Sequence, residues 1–163
     1  MMTVDQQIVV RRATENDLPE ILSLQRECFR SEAELVGDPD VPPMVQTLDE
    51  ISSEAATSVI LVMTEDGIPI GSVRAHASDE DGTVHVGRLF VHPDRRCRGY
   101  GTRLLSAIET KCPGDVYRLF TSSLSLGNIA LYERSGYKVE RTTSTGNGYD
   151  MVHLVKEGTC LSR

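Results

Sequence analysis

GRLFVHPDRRCRGYGTRLLSAIE, running from Gly87 to Glu109, is the stretch on which the fold turns. It opens on apolar residues of strand type and breaks at His92-Pro93. It closes on a helical pattern in which Leu104, Leu105, Ile108 and, just beyond, Cys112 share one face. Between strand and helix lie Gly99 and Gly101, crowded by Arg95, Arg96, Arg98 and Arg103. Glycine costs a helix about 1 kcal/mol relative to alanine, so two of them at a helix start need a reason. A helix start leaves main-chain N–H groups without partners and adds partial positive charge from aligned peptide dipoles. Together these form an anion site. The spacing Arg96-x-x-Gly99-x-Gly101 suits a phosphate cradle, with glycines letting the backbone approach a ligand. On spacing alone, a tight corner that merely needs glycine stays open. The chain has no G-x-x-x-x-G-K-[ST] and no G-x-G-x-x-G, which excludes the two common nucleotide turns.

Outward from this stretch the pattern alternates. Ile8–Ala13 reads as a strand. A helix follows with Leu18, Ile21, Leu22, Leu24, Cys28 and Phe29 at helical spacing and Thr14 or Asn16 as cap. The segment SEAELVGDPDVPPMVQ reads as a loop, punctuated by Gly37, Pro39, Pro42 and Pro43. TLDEISSEAA reads as a second helix, with Thr47 and Glu50 spaced as a capping box. SVILVMTE and IGSVRAHAS read as a hairpin around Asp66-Gly67. VYRLFTS is a strand, and SLGNIALYERSG a helix with Ser125 as cap and Gly136 just past its end. YKVERTTS and YDMVHLVK close the chain as two strands, and the residues from Glu157 onward read as a tail. The order β-α-α-β-β-β-α-β-α-β-β gives an α/β (α+β) chain with a mixed sheet, in which two βα steps supply the parallel portion. No repeat or linker divides it, so residues 1–163 read as one domain with a core of about 8–156.

Composition narrows the function. The chain has 163 residues, is 39% hydrophobic and 25% charged, and carries a net charge of −7, a globular composition without the basic footprint of nucleic-acid binding. No apolar run is long enough to cross a membrane. MMTVDQQIVVRR lacks the basic-then-apolar order of a signal peptide, so a cytoplasmic protein is expected. Cys28, Cys97, Cys112 and Cys160 show no metal or disulfide spacing, so no metal is expected. Charge is uneven. Ser31–Val73 holds no Lys or Arg but nine acids, whereas Arg88–Arg103 holds five arginines and one acid. Two sub-sites of opposite sign, or simply two solvated faces, both fit.

GRLFVHPDRRCRGYGTRLLSAIE resembles the central motif of the GNAT superfamily, the acetyl-CoA-dependent N-acetyltransferases: a strand ending in V-x-P, then R/Q-x-x-G-x-G/A and a helix. SLGNIALYERSGYKVER is similar to the asparagine and L-Y-E-x-x-G-Y/F of the second half of that cofactor site. The resemblance covers nearly the whole chain. It implies a GNAT-like, mostly antiparallel sheet with helices on both faces. It also implies acetyl-CoA as co-substrate and transfer of its acetyl group to a primary amine of a small molecule or peptide, by direct attack in a ternary complex. A non-catalytic acyl-CoA-binding sensor or regulatory module is the alternative.

The same resemblance implies roles for individual residues. Backbone N–H groups of Cys97, Arg98, Gly99, Gly101 and Thr102 would hold the coenzyme pyrophosphate, aided by the side chains of Arg96 and Arg98. Main-chain groups of Leu89, Phe90 and Val91 would bind the pantetheine arm like an added strand. Asn128 would hydrogen-bond that arm, and Tyr132 would stand near the thioester sulfur. A phenol keeps its proton at neutral pH, so Tyr132 can protonate a departing thiolate. His85, counted four residues before Leu89 on the same strand face, stands where a glutamate is usual and is a candidate base, with a surface histidine as the plain alternative. Glu109 is a weaker candidate, more consistent with a structural helix residue. The loop after the first helix sits where acceptors are usually gripped. Glu32, Glu34, Asp38 and Asp40 there favour a cationic amine, with Glu34 also a weak candidate base. A homodimer is expected from the resemblance alone.

Overall fold

In the computed structural model, which describes residues 7–158, every expected element forms, and one short helix is added. β1 (Ile8–Arg12) leads through a 3-10 turn into α1 (Leu18–Val36). α2 (Pro42–Val45) and α3 (Leu48–Thr57) precede β2 (Val59–Glu65), β3 (Ile68–Ala77) and β4 (Thr83–Val91). Then come α4 (Tyr100–Lys111), β5 (Val116–Ser122), α5 (Leu126–Arg134), β6 (Lys138–Ser144) and β7 (Asp150–Glu157). Cys160 and the other residues of 159–163 lie outside the described residues, and Glu157, expected to open a tail, is instead the last residue of β7.

Local chemistry accounts for many of these boundaries. Thr47 accepts from the Glu50 N–H, and the Glu50 carboxylate accepts from the Thr47 N–H at 3.1 Å, so α3 starts on the expected capping box. Asp66 and Gly67 both take positive φ, 51° and 86°, which matches the twist of the β2–β3 hairpin. The loop expected after Phe29 is a correction: α1 runs on to Val36 and stops at Gly37, whose φ of 73° is left-handed. Ser31–Val36 contains no helix breaker, so the helix continues until a residue favours the αL cap.

The seven strands form one sheet in the order β1-β2-β3-β4-β5-β7-β6. β4 and β5 make its one parallel pair, and all other neighbours are antiparallel. The second βα step therefore makes no parallel pair, because β7 inserts between β5 and β6. One face is covered by α1 and α3, whose Ile21, Leu22 and Ile51 pack with Ile60, Val62 and Phe90 of the sheet. The other is covered by α4 and α5 through Leu104, Leu105, Ile108 and Tyr132, which pack on Val84, Val86 and Leu154. Burying such side chains contributes about 1.5–3 kcal/mol each.

Two irregularities at the sheet centre create the site. First, β4 and β5 pair only from Thr83 to His85 against Val116 to Arg118. Beyond that they splay, leaving a wedge. Second, β4 carries a bulge at Arg88, where φ is 50° and the register against β3 shifts. Ser72 faces Phe90 but Arg74 faces Gly87, so β4 has one extra residue there. A bulge re-aims the side chains that follow it. Val86 and Leu89 pack with α4 and α5, whereas Phe90 packs with α1.

Candidate active site

The outer end of the site is the start of α4. Gly99 is its N-cap with φ 79°, no side chain caps the helix, and Gly99 O accepts from Arg103 N at 3.0 Å. Among the described residues nothing accepts from the N–H groups of Tyr100, Gly101 and Thr102. The two glycines have separate reasons. A Cβ on Gly99 would meet nothing within 4 Å, so conformation alone demands glycine there. A Cβ on Gly101 would stand 3.0 Å from Leu131 Cδ2, so this glycine lets α5 approach α4. Cys97, exposed, also takes a left-handed φ of 62°.

The arginines divide as well. Arg95 lines the groove, but its guanidinium is held by Glu65, with Nε donating to Oε2 at 2.7 Å. Arg96 lines the groove, but its side chain donates to the carbonyls of Val91 at 3.4 Å and Cys28 at 3.3 Å, tying β4 to α1. Arg98 does not line the groove, and it is exposed and unpaired among the described residues. Arg134 of α5, not singled out from sequence, also lines the groove.

From the α4 start the groove runs along Leu89, Phe90 and Val91 to Asn128, then into an inner cavity of about 320 Å³. Asn128 and Tyr132 stand one turn apart on α5. Asn128 borders both compartments, and its amide has no partner among the described residues. Tyr132 borders the inner cavity. Its ring is buried and meets Tyr137 edge-on at 6.1 Å, and its hydroxyl has no hydrogen bond among the described residues. Burial, reinforced by the nearby Glu32 charge, pushes the phenol well above its ordinary value, so the hydroxyl stays protonated.

Glu32 also borders both compartments and accepts from Ser125 Oγ. Ser125 was expected to cap α5 with its side chain. It occupies the N-cap position, but its hydroxyl is turned to Glu32 and makes no cap. Phe29, Glu32 and Val36 line the cavity from α1 at helical spacing. Once α1 continues past Phe29, that spacing faces one side, and Glu34 is turned away, exposed and outside the cavity. Asp38 folds back locally to accept from Asp40 N at 2.9 Å, and neither lines the site. Of the expected acidic group, only Glu32 reaches it.

His85 is a further correction. The extra residue at Arg88 separates its face from that of Leu89, and His85 lies in a neighbouring groove with Arg118, Glu140, Arg141 and His153. Glu109 is structural: it accepts from Lys156 Nζ at 2.8 Å and Tyr137 Oη at 3.0 Å.

Arg88 itself was not legible as a site residue. Its half-buried side chain lines the inner cavity, and its Nε is fully buried with no hydrogen-bond partner. Behind it, fully buried Arg74 donates to Glu54 Oε2 and Gln46 Oε1, both at 2.9 Å, and to Gln25 Oε1. Desolvation pulls Arg74 down to about 10, which leaves it cationic at neutral pH.

The sequence model of the Acetyltransferase (GNAT) family matches residues 18–137. A mycothiol acetyltransferase of Kineococcus radiotolerans is 35% identical over 92 residues, covering 52% of this chain and 30% of its own. The chain thus spans under a third of that relative's length. An S-(2-succino)cysteine N-acetyltransferase of Bacillus subtilis is 27% identical over 120 residues, covering 68% of this chain and 73% of its own. The crystal structure of a phosphinothricin acetyltransferase from Sinorhizobium meliloti in complex with acetyl-CoA superimposes with a TM-score of 0.74 at 19% identity, covering 95% of this chain and 92% of its own.

Proposed function

The chain belongs to the acetyltransferase (GNAT) family, and from that membership we propose that it moves the acetyl group of acetyl-CoA to a primary amine of a small molecule. The observation that carries this reading is the hydroxyl of buried Tyr132, which has no partner among the described residues, in a cavity continuous with a helix start whose N–H groups are likewise free. Bound acetyl-CoA supplies a thioester whose C–S bond breaks as the amine nitrogen bonds to the acetyl carbon. The N–H groups of Tyr100, Gly101 and Thr102 fit an anionic diphosphate, and Arg134 adds positive charge beside them. Asn128, with its amide free, orients the coenzyme arm in the wedge.

Tyr132 holds the proton that the departing sulfur takes, and its burial keeps that proton available at neutral pH. Glu32 faces the same cavity and receives the ammonium form of the acceptor, drawing its proton toward solvent before attack. No base role is given to His85, because its groove is a neighbouring one. An inner cavity of about 320 Å³ lies at the small end of the roughly 300–1,000 Å³ usual for ligand pockets, which favours a small acceptor.

Release of free thiol from acetyl-CoA, followed against a panel of primary amines, tests the reading. Amine-dependent thiol release is expected. Binding of acetyl-CoA without turnover of any amine would instead indicate the sensor function.

A further inference from the structure

The inner cavity contains a cation that nothing among the described residues pairs with directly. Four other arginines are held by carboxylates, Arg11 by Asp17 at 2.7 Å, Arg95 by Glu65 at 2.7 Å, Arg118 by Glu140 at 3.0 Å, and Arg74 by Glu54 at 2.9 Å, and those without one, such as Arg98, are exposed rather than set in the cavity. Arg88 makes no hydrogen bond among the described residues, and its Nε is shut off from water. Glu54 acts on it only through space, and the Glu54 carboxylate already accepts from Arg74 and from Gln46 Nε2 at 2.8 Å. Arg74 is a like charge close behind. A desolvated cation without a hydrogen-bonding anion is costly. The chain nevertheless holds this one at a bulge, in a left-handed conformation that a non-glycine residue rarely adopts. Both features suit a guanidinium whose partner arrives with the ligand.

The same cavity has a carboxylate, Glu32, and the Tyr132 hydroxyl, with apolar walls from Phe29, Val36 and Met151. A cation and an anion in one small cavity, with mostly apolar walls and a few neutral polar groups, complement a zwitterion. We propose that Arg88 binds a carboxylate of the acceptor, and that the acceptor is an α-amino-acid-type molecule whose amine is presented between Glu32 and Tyr132. The planar guanidinium fork suits a carboxylate by two parallel hydrogen bonds. This rests on the acetyltransferase reading and replaces the purely cationic acceptor expected from the acidic segment, most of which lies outside the cavity.

The test uses the whole chain with coenzyme A present. Calorimetric titration compares amino acids with apolar or thioether side chains against their decarboxylated amines, for the unmodified protein and for Arg88→Gln and Arg88→Lys. At least one amino acid of the panel is expected to bind, and its decarboxylated amine about 10- to 100-fold more weakly, the range for a hydrogen bond to a charged group. Arg88→Gln is expected to weaken the amino acid by a similar factor while changing the decarboxylated amine less than about threefold, with Arg88→Lys between them. Equal binding of both members of each pair, equal losses on both in the variants, or no binding of any carboxylate-bearing amine would overturn the proposal. Should Arg88→Gln not fold, the paired ligands on the unmodified protein decide. Thiol release in parallel separates the two claims. Carboxylate-dependent binding without turnover leaves the subsite and removes the acetyltransferase reading. Turnover indifferent to the carboxylate does the reverse.

Discussion

At the outer end of the groove the candidate binding groups are main-chain N–H atoms of Tyr100, Gly101 and Thr102, consecutive in the chain. At the inner end they are side chains, Tyr132 from α5, Glu32 from α1 and Arg88 from β4, far apart in sequence and joined only by the packing of three elements. The first arrangement depends on two left-handed residues, Cys97 and Gly99, and one helix start, and draws on main chain rather than side chains. The second depends on a bulge, on the splaying of β4 from β5, and on α1 continuing to Val36. Inner-end substitutions should therefore act on chemistry and acceptor choice, and outer-end substitutions on coenzyme affinity.

The sharpest division is expected from Tyr132→Phe, which removes a proton donor worth about 10²- to 10⁴-fold in rate. kcat should fall by that order while acetyl-CoA affinity, read by calorimetry, is unchanged. A matching loss of coenzyme affinity would erase the distinction between the two ends. The raised Tyr132 pKa adds a sign. The neutral hydroxyl is the form burial favours, so its proton stays through pH 10, where a free phenol is lost at about that value. A kcat–pH profile should then show no tyrosine limb between neutrality and about pH 10. A limb there would mean that the donor is solvated.

Gly99→Val is next. A β-branched residue in the left-handed region costs about 1–2 kcal/mol, so acetyl-CoA should bind roughly tenfold more weakly with the acceptor KM nearly unchanged. Asn128→Ala probes the border between the compartments and should cost about 0.5–1.5 kcal/mol, one ordinary hydrogen bond, in coenzyme affinity. The smallest effect is expected at Arg98. Arg98→Ala should slow coenzyme association a few-fold at low salt and vanish at about 1 M salt, where screening reaches roughly 3 Å. An effect that persists in high salt would mean Arg98 contacts the ligand directly.

The outer end was legible because its cause is local. The change from strand to helical pattern and the Gly99 position are read within a few residues, as are the Thr47–Glu50 box and the Asp66-Gly67 turn. Even so, the sequence could not say that Gly101 serves the contact with Leu131, or that Arg95 and Arg96 are spoken for by Glu65 and by the carbonyls of Val91 and Cys28. Those partners lie on other elements. His85 shows the same limit: counting alternate residues assumed an unbroken strand, and one extra residue at Arg88 reversed the count.

The sequence by itself determined the order of elements, the open helix start at Gly99 and the placing of Asn128 and Tyr132 one turn apart, because backbone preference and helical periodicity act over a turn or two of chain. Only the tertiary structure decided which charges enter the inner cavity, because burial and pairing depend on neighbours contributed by distant segments. Packing turned Glu32 inward and Glu34 outward, and left Arg88 in the cavity with no hydrogen-bond partner among the described residues.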